Sequence, residues 1–186
     1  MMKRGVPAAM LVLPLLAGCM YERIDIYTAG DIYNGEILSH HKDVETRNGW
    51  IVLKPGARLA VRTAYGTQFL GQFQIAIAEG TGITAYLRTV AHEFDTTRGI
   101  AFRYATDGCY VRREDGGMVP LDYNAELGTQ TVSLYNEADL VAVSVGCRRL
   151  YEEETSLPGT EYVIFETLPG STVELRSVAY FDTSEE

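Results

Sequence analysis

Ile100-Ala101-Phe102-Arg103-Tyr104, then Thr106-Asp107-Gly108, then Cys109-Tyr110-Val111: this stretch decides the fold. Ile100, Phe102 and Tyr104 alternate with Ala101 and Arg103, the period-two pattern of a strand with one buried face. Asp107-Gly108 offers the backbone freedom for a tight reversal. Cys109 and Val111 then share a face of a second strand. The hairpin signature is complete within a dozen or so residues.

The same pattern spreads outward in both directions. Phe73, Ile75 and Ile77 alternate with Gln72 and Gln74. Candidate strands are 50–53, 58–64, 72–78, 83–89, 99–105, 109–114, 129–135, 140–150, 161–167 and 171–181. Turn signals punctuate them at Lys54-Pro55-Gly56, Glu79-Gly80-Thr81-Gly82, Asp115-Gly116-Gly117 and Pro169-Gly170. In the last strand Val173 and Leu175 have one parity and Val178 and Tyr180 the other, which predicts a bulge near Ser177. No segment sustains a 3.6-residue period. About ten short strands without intervening helices predict an all-β, antiparallel sandwich of jelly-roll type.

The N-terminus has a different grammar. Lys3 and Arg4 precede an uncharged run from Val6 to Leu16. That is the layout of an export signal, too short to span a bilayer core of roughly 30 Å as a helix. Pro7 and Pro14 also disfavour a long helix. Leu16-Ala17-Gly18-Cys19 resembles the lipobox of bacterial lipoproteins, which implies cleavage before Cys19 and lipidation of its thiol. Two or three acyl chains at about 0.8 kcal/mol per buried methylene give lasting attachment. Met20 occupies the position that influences sorting in such proteins, and the resemblance there implies the outer membrane. The expected organisation is a signal peptide over 1–18, a lipidated N-terminus serving as tether or first strand over 19–48, and a β-sandwich over 49–186.

Composition narrows the partners. Residues 1–18 hold two of the 16 basic residues and none of the 25 acidic ones, so residues 19–186 carry 14 against 25, a net charge of −11. Such a surface repels phosphate, which disfavours nucleic acid and anionic head groups as partners. Twelve tyrosines against six phenylalanines and one tryptophan suit half-exposed sheet faces. With Cys19 lipidated, Cys109 and Cys147 are an even pair in an exported domain, which predicts a disulfide worth about 3–4 kcal/mol. Cys147 continues the series Val141, Val143, Val145 and is expected to face the core.

Catalytic chemistry finds little support. Glu93-Phe94-Asp95 begins like the paired-carboxylate signature of jelly-roll glycosidases, but Thr97 and Arg98 stand where its second glutamate belongs. His40 and His41 are adjacent, so a strand would point them to opposite faces, and His92 stands by itself beside Glu93. No His/Cys spacing matches a zinc site, and Asp115-Gly116-Gly117 reads as a plain turn before it reads as a calcium loop. No G-x-S-x-G elbow is present. No cofactor is expected. Trp50 and the tyrosines are candidates for a sugar-stacking platform, against the commoner role of cross-strand packing.

From Trp50 onward the layout resembles the concanavalin-like jelly-roll domains of bacterial secreted and surface proteins. Gly71-Gln72-Phe73-Gln74-Ile75 with Gly82 to Thr89 is similar to a strand pair there that often ends in an arginine, here Arg88. Gly99 to Tyr104 with Asp107 to Val111 resembles the next hairpin, and Ser171 to Asp182 the closing strand. The resemblance implies sugar hydrolases, lectin-like modules and domains without a ligand alike. The resulting expectation is a lipid-anchored envelope protein with a non-catalytic binding or structural sandwich, glycan being the first partner to test. The alternatives are a glycan-processing hydrolase and a subunit of an envelope protein complex.

Overall fold

A computed structural model of the chain describes residues 24–28, 37–40, 43–62, 67–89, 96–160 and 162–182. Its strands are β1 (Ile24–Thr28), β2 (Ile37–His40), β3 (Val44–Arg47), β4 (Trp50–Leu53) and β5 (Arg58–Arg62). They continue as β6 (Phe69–Glu79), β7 (Gly82–Leu87), β8 (Ile100–Ala105), β9 (Tyr110–Arg112) and β10 (Met118–Pro120). The remainder are β11 (Gly128–Asn136), β12 (Leu140–Val145), β13 (Arg148–Glu154), β14 (Tyr162–Thr167) and β15 (Thr172–Asp182). No helix occurs among the described residues.

Two sheets face each other. The first runs β13-β12-β11-β6-β15-β4-β3, with β1 also pairing β15, and the second runs β10-β9-β8-β7-β14-β5-β2. Every pairing is antiparallel. The alternation read from the sequence explains the layering. Phe73, Ile75 and Ile77 of the first sheet and Ile100, Phe102 and Tyr104 of the second are buried between them. Phe73 and Phe165 meet edge-on across the interface, ring centroids 5.0 Å apart. The jelly-roll sandwich expected from the strand pattern is the observed architecture. The bulge expected near Ser177 is present: the register of β15 against β6 shifts between Leu175 and Ser177.

Three expectations change. The predicted strand 140–150 is two strands, because Gly146 (φ 56°) and Cys147 form a two-residue hairpin loop with Val145 opposite Arg148. Cys147 therefore leaves the core-facing series and is exposed, while Cys109 is buried. The expected Cys109–Cys147 disulfide is not formed; both thiols are free. Lastly, the boundary placed at residue 49 cuts a hairpin. Asn48 (φ 53°) and Gly49 (φ 81°) make the left-handed turn that pairs Arg47 with Trp50, so β3 belongs to the sandwich. Ile24–Thr28 pairs with β15, which is the first-strand alternative given for residues 19–48.

Arg88 ties the two sheets at one end. It follows β7 with φ 53° and is fully buried. Its Nε donates to Asn136 Oδ1 at 2.6 Å, and Nη1 donates to the carbonyls of Ala138 (3.2 Å) and Leu157 (2.5 Å). Nη2 donates to the carbonyls of Glu137 and Leu140. Asn136 in turn donates through Nδ2 to the Thr67 carbonyl. A side chain from the second sheet thus holds the turn between β11 and β12 of the first. Burial pulls its pKa down, and the charges of Asp139 and Glu114 act against that.

Candidate functional site

The outer face of the second sheet is assembled by the residues that the core does not take. In β5, Leu59 and Val61 point inward, leaving Arg58, Ala60 and Arg62 outward. In β14, Val163 and Phe165 are core, leaving Tyr162, Ile164 and Glu166. Thr84 and Tyr86 of β7, Ala101 and Arg103 of β8, Tyr110 and Arg112 of β9, and Met118 and Pro120 of β10 complete the face.

Strand register sorts these into rows. One row reads Arg58, Glu166, Thr84, Arg103, Tyr110, Pro120. The next reads Ala60, Ile164, Tyr86, Ala101, Arg112, Met118. Ala60, Ile164, Thr84 and Ala101 are buried and form a floor. Arg58, Tyr86, Arg103, Tyr110, Arg112, Tyr162 and Glu166 are half-buried around it, and Arg62 is exposed.

A polar network holds the middle of the face. Arg58 donates from Nε and Nη2 to Glu166 Oε1 at 2.9 and 2.7 Å. Tyr86 Oη donates to Glu166 Oε2 at 2.9 Å. Glu166 therefore fixes a guanidinium on one side and a phenol on the other. Burial, followed by the adjacent Glu166 charge, pushes the Tyr86 hydroxyl up to about 12. Arg112 lies 5.9 Å from the Tyr86 ring centroid and donates from Nη2 to the Thr96 carbonyl at 2.5 Å. Arg103 lies 5.4 Å from the Tyr110 centroid, with its guanidinium 2.8 Å from the Asp107 carboxylate. Tyr162 Oη donates to the Thr89 carbonyl at 3.2 Å. The result is a row of oriented rings and forked donors over a shallow floor, suited to a flat ligand with hydroxyl or carboxylate groups.

The residues singled out from sequence scatter. Trp50 is on the opposite outer face, its ring 3.9 Å from the Arg176 guanidinium carbon. It does not join Tyr86, Tyr110 and Tyr162. Asp115-Gly116-Gly117 is a turn in which the Asp115 carboxylate accepts the Gly117 amide at 2.7 Å. Among the described residues no three His, Cys, Asp or Glu side chains come together as a metal site. Cys19, His41, His92, Glu93 and Asp95 lie outside the described residues, as does the side chain of His40. Arg58, Arg112 and Glu166 went unnoticed in the sequence, and Arg103 was read only as the outward partner of a strand. Their signal was there as charged residues at alternate positions against Leu59, Phe102, Val111 and Phe165, but pairing across 108 residues is invisible without a register.

Comparison with solved structures defines the class: an all-β, two-sheet sandwich of the concanavalin-like kind. A β-1,3-1,4-glucanase (lichenase) from a mouse hindgut metagenome superposes with a TM-score of 0.59 at 13% identity, covering 84% of this chain and 98% of that one. The exoplasmic/lumenal domain of VIP36, in its Ca2+/Man3GlcNAc-bound form, gives 0.59 at 10% identity, covering 80% and 84%. The carbohydrate-binding module CBM66 of Bacillus subtilis gives 0.57 at 11% identity, covering 78% and 94%. At these identities the likeness speaks for the fold. No protein-family model matches the chain, and no curated protein matches it by sequence.

Proposed function

We propose that this chain is an outer-membrane lipoprotein, anchored through Cys19, whose sandwich binds glycan without cleaving it. The observation that carries the binding role is the outer face of the second sheet, where Tyr86 bonds the Arg58–Glu166 pair and Tyr110 and Tyr162 share the same face. Sugar rings present C–H faces to aromatic rings and hydroxyls to fixed donors and acceptors, and this face supplies both. Glycoside hydrolysis needs two carboxyl groups flanking the bond. Among the described residues the strands of this face supply one, Glu166, and it is already held by Arg58 and Tyr86. The carbohydrate named in the descriptions of VIP36 and CBM66 supports the same reading.

The test is a glycan array, peptidoglycan fragments included, probed with the full chain in non-ionic detergent. Saturable binding to one sugar class, weakened about tenfold or more by Tyr86→Ala, supports the role. Silence across the array would discard it and leave a protein partner in the envelope as the occupant of this face. Anchoring is tested separately: Cys19→Ala should move the protein out of the membrane fraction, and retention there would end the lipoprotein reading.

A further inference from the structure

Taking the glycan reading as its basis, we infer that the ligand is an acidic polysaccharide, a chain of sugars bearing carboxylates. The outer strand positions of the second sheet hold Arg58, Arg62, Arg103 and Arg112 against one glutamate, Glu166. This cationic face sits on a chain whose residues 19–186 carry a net charge of −11. A surplus of arginine in such a background is a local feature and does not follow from composition.

The four arginines divide into two pairs. Arg58 and Arg103 already hold carboxylates, those of Glu166 and Asp107, at 2.7 and 2.8 Å. Arg62 and Arg112 have no carboxylate partner among the described residues. Arg112 is oriented nonetheless, by the Tyr86 ring and the Thr96 carbonyl, with donors to spare. Among the described residues the face thus shows what its guanidinium groups bind and leaves two of them open for the same group on a ligand. A planar fork matches a carboxylate in a way that a neutral hydroxyl does not.

Spacing sets the size of the ligand. Arg62 on β5 and Arg112 on β9 are four strand steps apart across β14, β7 and β8. At ~4.8 Å per step that is on the order of 19 Å, beyond one sugar and within reach of an oligosaccharide. The tyrosines 86 and 162 stand on strands between the two arginines. The acidic remainder of the surface does not forbid the approach, because charges beyond about 8 Å are screened at physiological ionic strength.

The experiment is a titration of the full chain, in non-ionic detergent, with polygalacturonate and alginate. Methyl-esterified polygalacturonate, dextran sulfate and a neutral β-glucan run beside them. Saturable binding to a polyuronate, absent for the methyl ester, is expected. Arg62→Ala and Arg112→Gln should each weaken it about tenfold. Arg62→Glu should abolish it, with unchanged thermal unfolding showing that the sandwich is intact. Equal binding of the ester or the neutral glucan, with the arginine variants unaffected, would overturn the acidic ligand and leave the glycan reading standing. Binding of dextran sulfate alone, or of all polyanions without dependence on Arg62 and Arg112, would also overturn it. No binding to any glycan here or on the array would remove both.

Discussion

On the outer face of the first sheet, Arg47 meets Glu45 at 3.0 Å, Arg176 meets Glu174 at 3.1 Å, and Arg149 meets Glu152. Arg176 and Arg149 also cover aromatic rings, those of Trp50 and Tyr135, at 3.9 and 4.4 Å. On the outer face of the second sheet, arginines again lie over tyrosines, but Arg62 and Arg112 lack a carboxylate among the described residues. The residue types are the same and the charge balance differs. An arginine matched by a glutamate two or three residues away is a solvated face holding itself in place. An arginine oriented by a ring and a carbonyl, with no acid to meet, has donors left for something else. Binding potential on a sheet is therefore read from what its charges lack, more than from how many it has.

That comparison requires two sheets in fixed relation, and Arg88 is the residue whose loss should damage both. Arg88→Met would strip donors from the carbonyls of Glu137, Ala138, Leu140 and Leu157 and from Asn136. The expected loss is about 3–5 kcal/mol, or roughly 6–20 °C in Tm for a chain of this size. Arg88→Lys should recover little of it, since an ammonium cannot span the same set of acceptors. Thermal unfolding measures this, and a Met variant that melts with wild type would show that the staple is dispensable.

Glu166→Gln comes next, because it shifts the second face further from balance. Arg58 would lose its carboxylate and become a third unmatched guanidinium. The polyuronate affinity should rise, while stability should fall by about 1 kcal/mol or less, as the pair is partly exposed. The Tyr86 hydroxyl, now at about 12, should titrate closer to 10 without the neighbouring negative charge. In the native protein the raised value means that the folded state holds this proton more tightly than the unfolded chain. Stability from Tyr86 is thus complete below pH 10 and is lost as pH rises from there through about 12. Spectroscopic tyrosine titration of the two proteins decides the matter; identical curves would separate Tyr86 from Glu166.

Much of this architecture was legible, and the failures have physical causes. Hairpin β8–β9, the core face of β6 and the bulge in β15 all followed from alternation, because a buried sheet face enforces parity residue by residue. The β3–β4 hairpin was missed although Asn48-Gly49 is a strong turn signal. Val44-Glu45-Thr46-Arg47 buries one residue of its four and shows little alternation. The run 140–150 was read through because Val141, Val143, Val145 and Cys147 keep one parity, so that the alternation itself does not mark the reversal at Gly146-Cys147. Of the site, the tyrosine content hinted at a platform, but which rings share a face depends on register between strands far apart in sequence. Trp50, the most conspicuous aromatic, fell on the balanced face.

The two thiols test the same reading of the fold. Cys147, in the exposed loop of the first sheet, should label with maleimide in the native protein. Cys109 should label after unfolding, since it is buried and burial pushes its thiol pKa up, disfavouring the reactive thiolate. Peptide mapping distinguishes the sites. Two cysteines that label only after reduction would restore the disulfide that the even cysteine pair suggested and would require the β12–β13 loop to turn inward.

The smallest effect is expected where the first face is most crowded. Arg176→Ala removes a guanidinium stacked on Trp50 and paired with Glu174, yet that pair is partly exposed and formed between near neighbours. Such ion pairs contribute about 0–1 kcal/mol, and the ring contact adds about as much. Stability should fall by about 1 kcal/mol, and affinity for any glycan should stay within about twofold of wild type. Measured beside Arg62→Ala, this variant removes one positive charge from the other side of the same protein. If net charge alone drew the ligand, both substitutions would weaken binding alike. If the unmatched guanidinium groups of the second face do the recognising, Arg62→Ala should weaken it and Arg176→Ala should not.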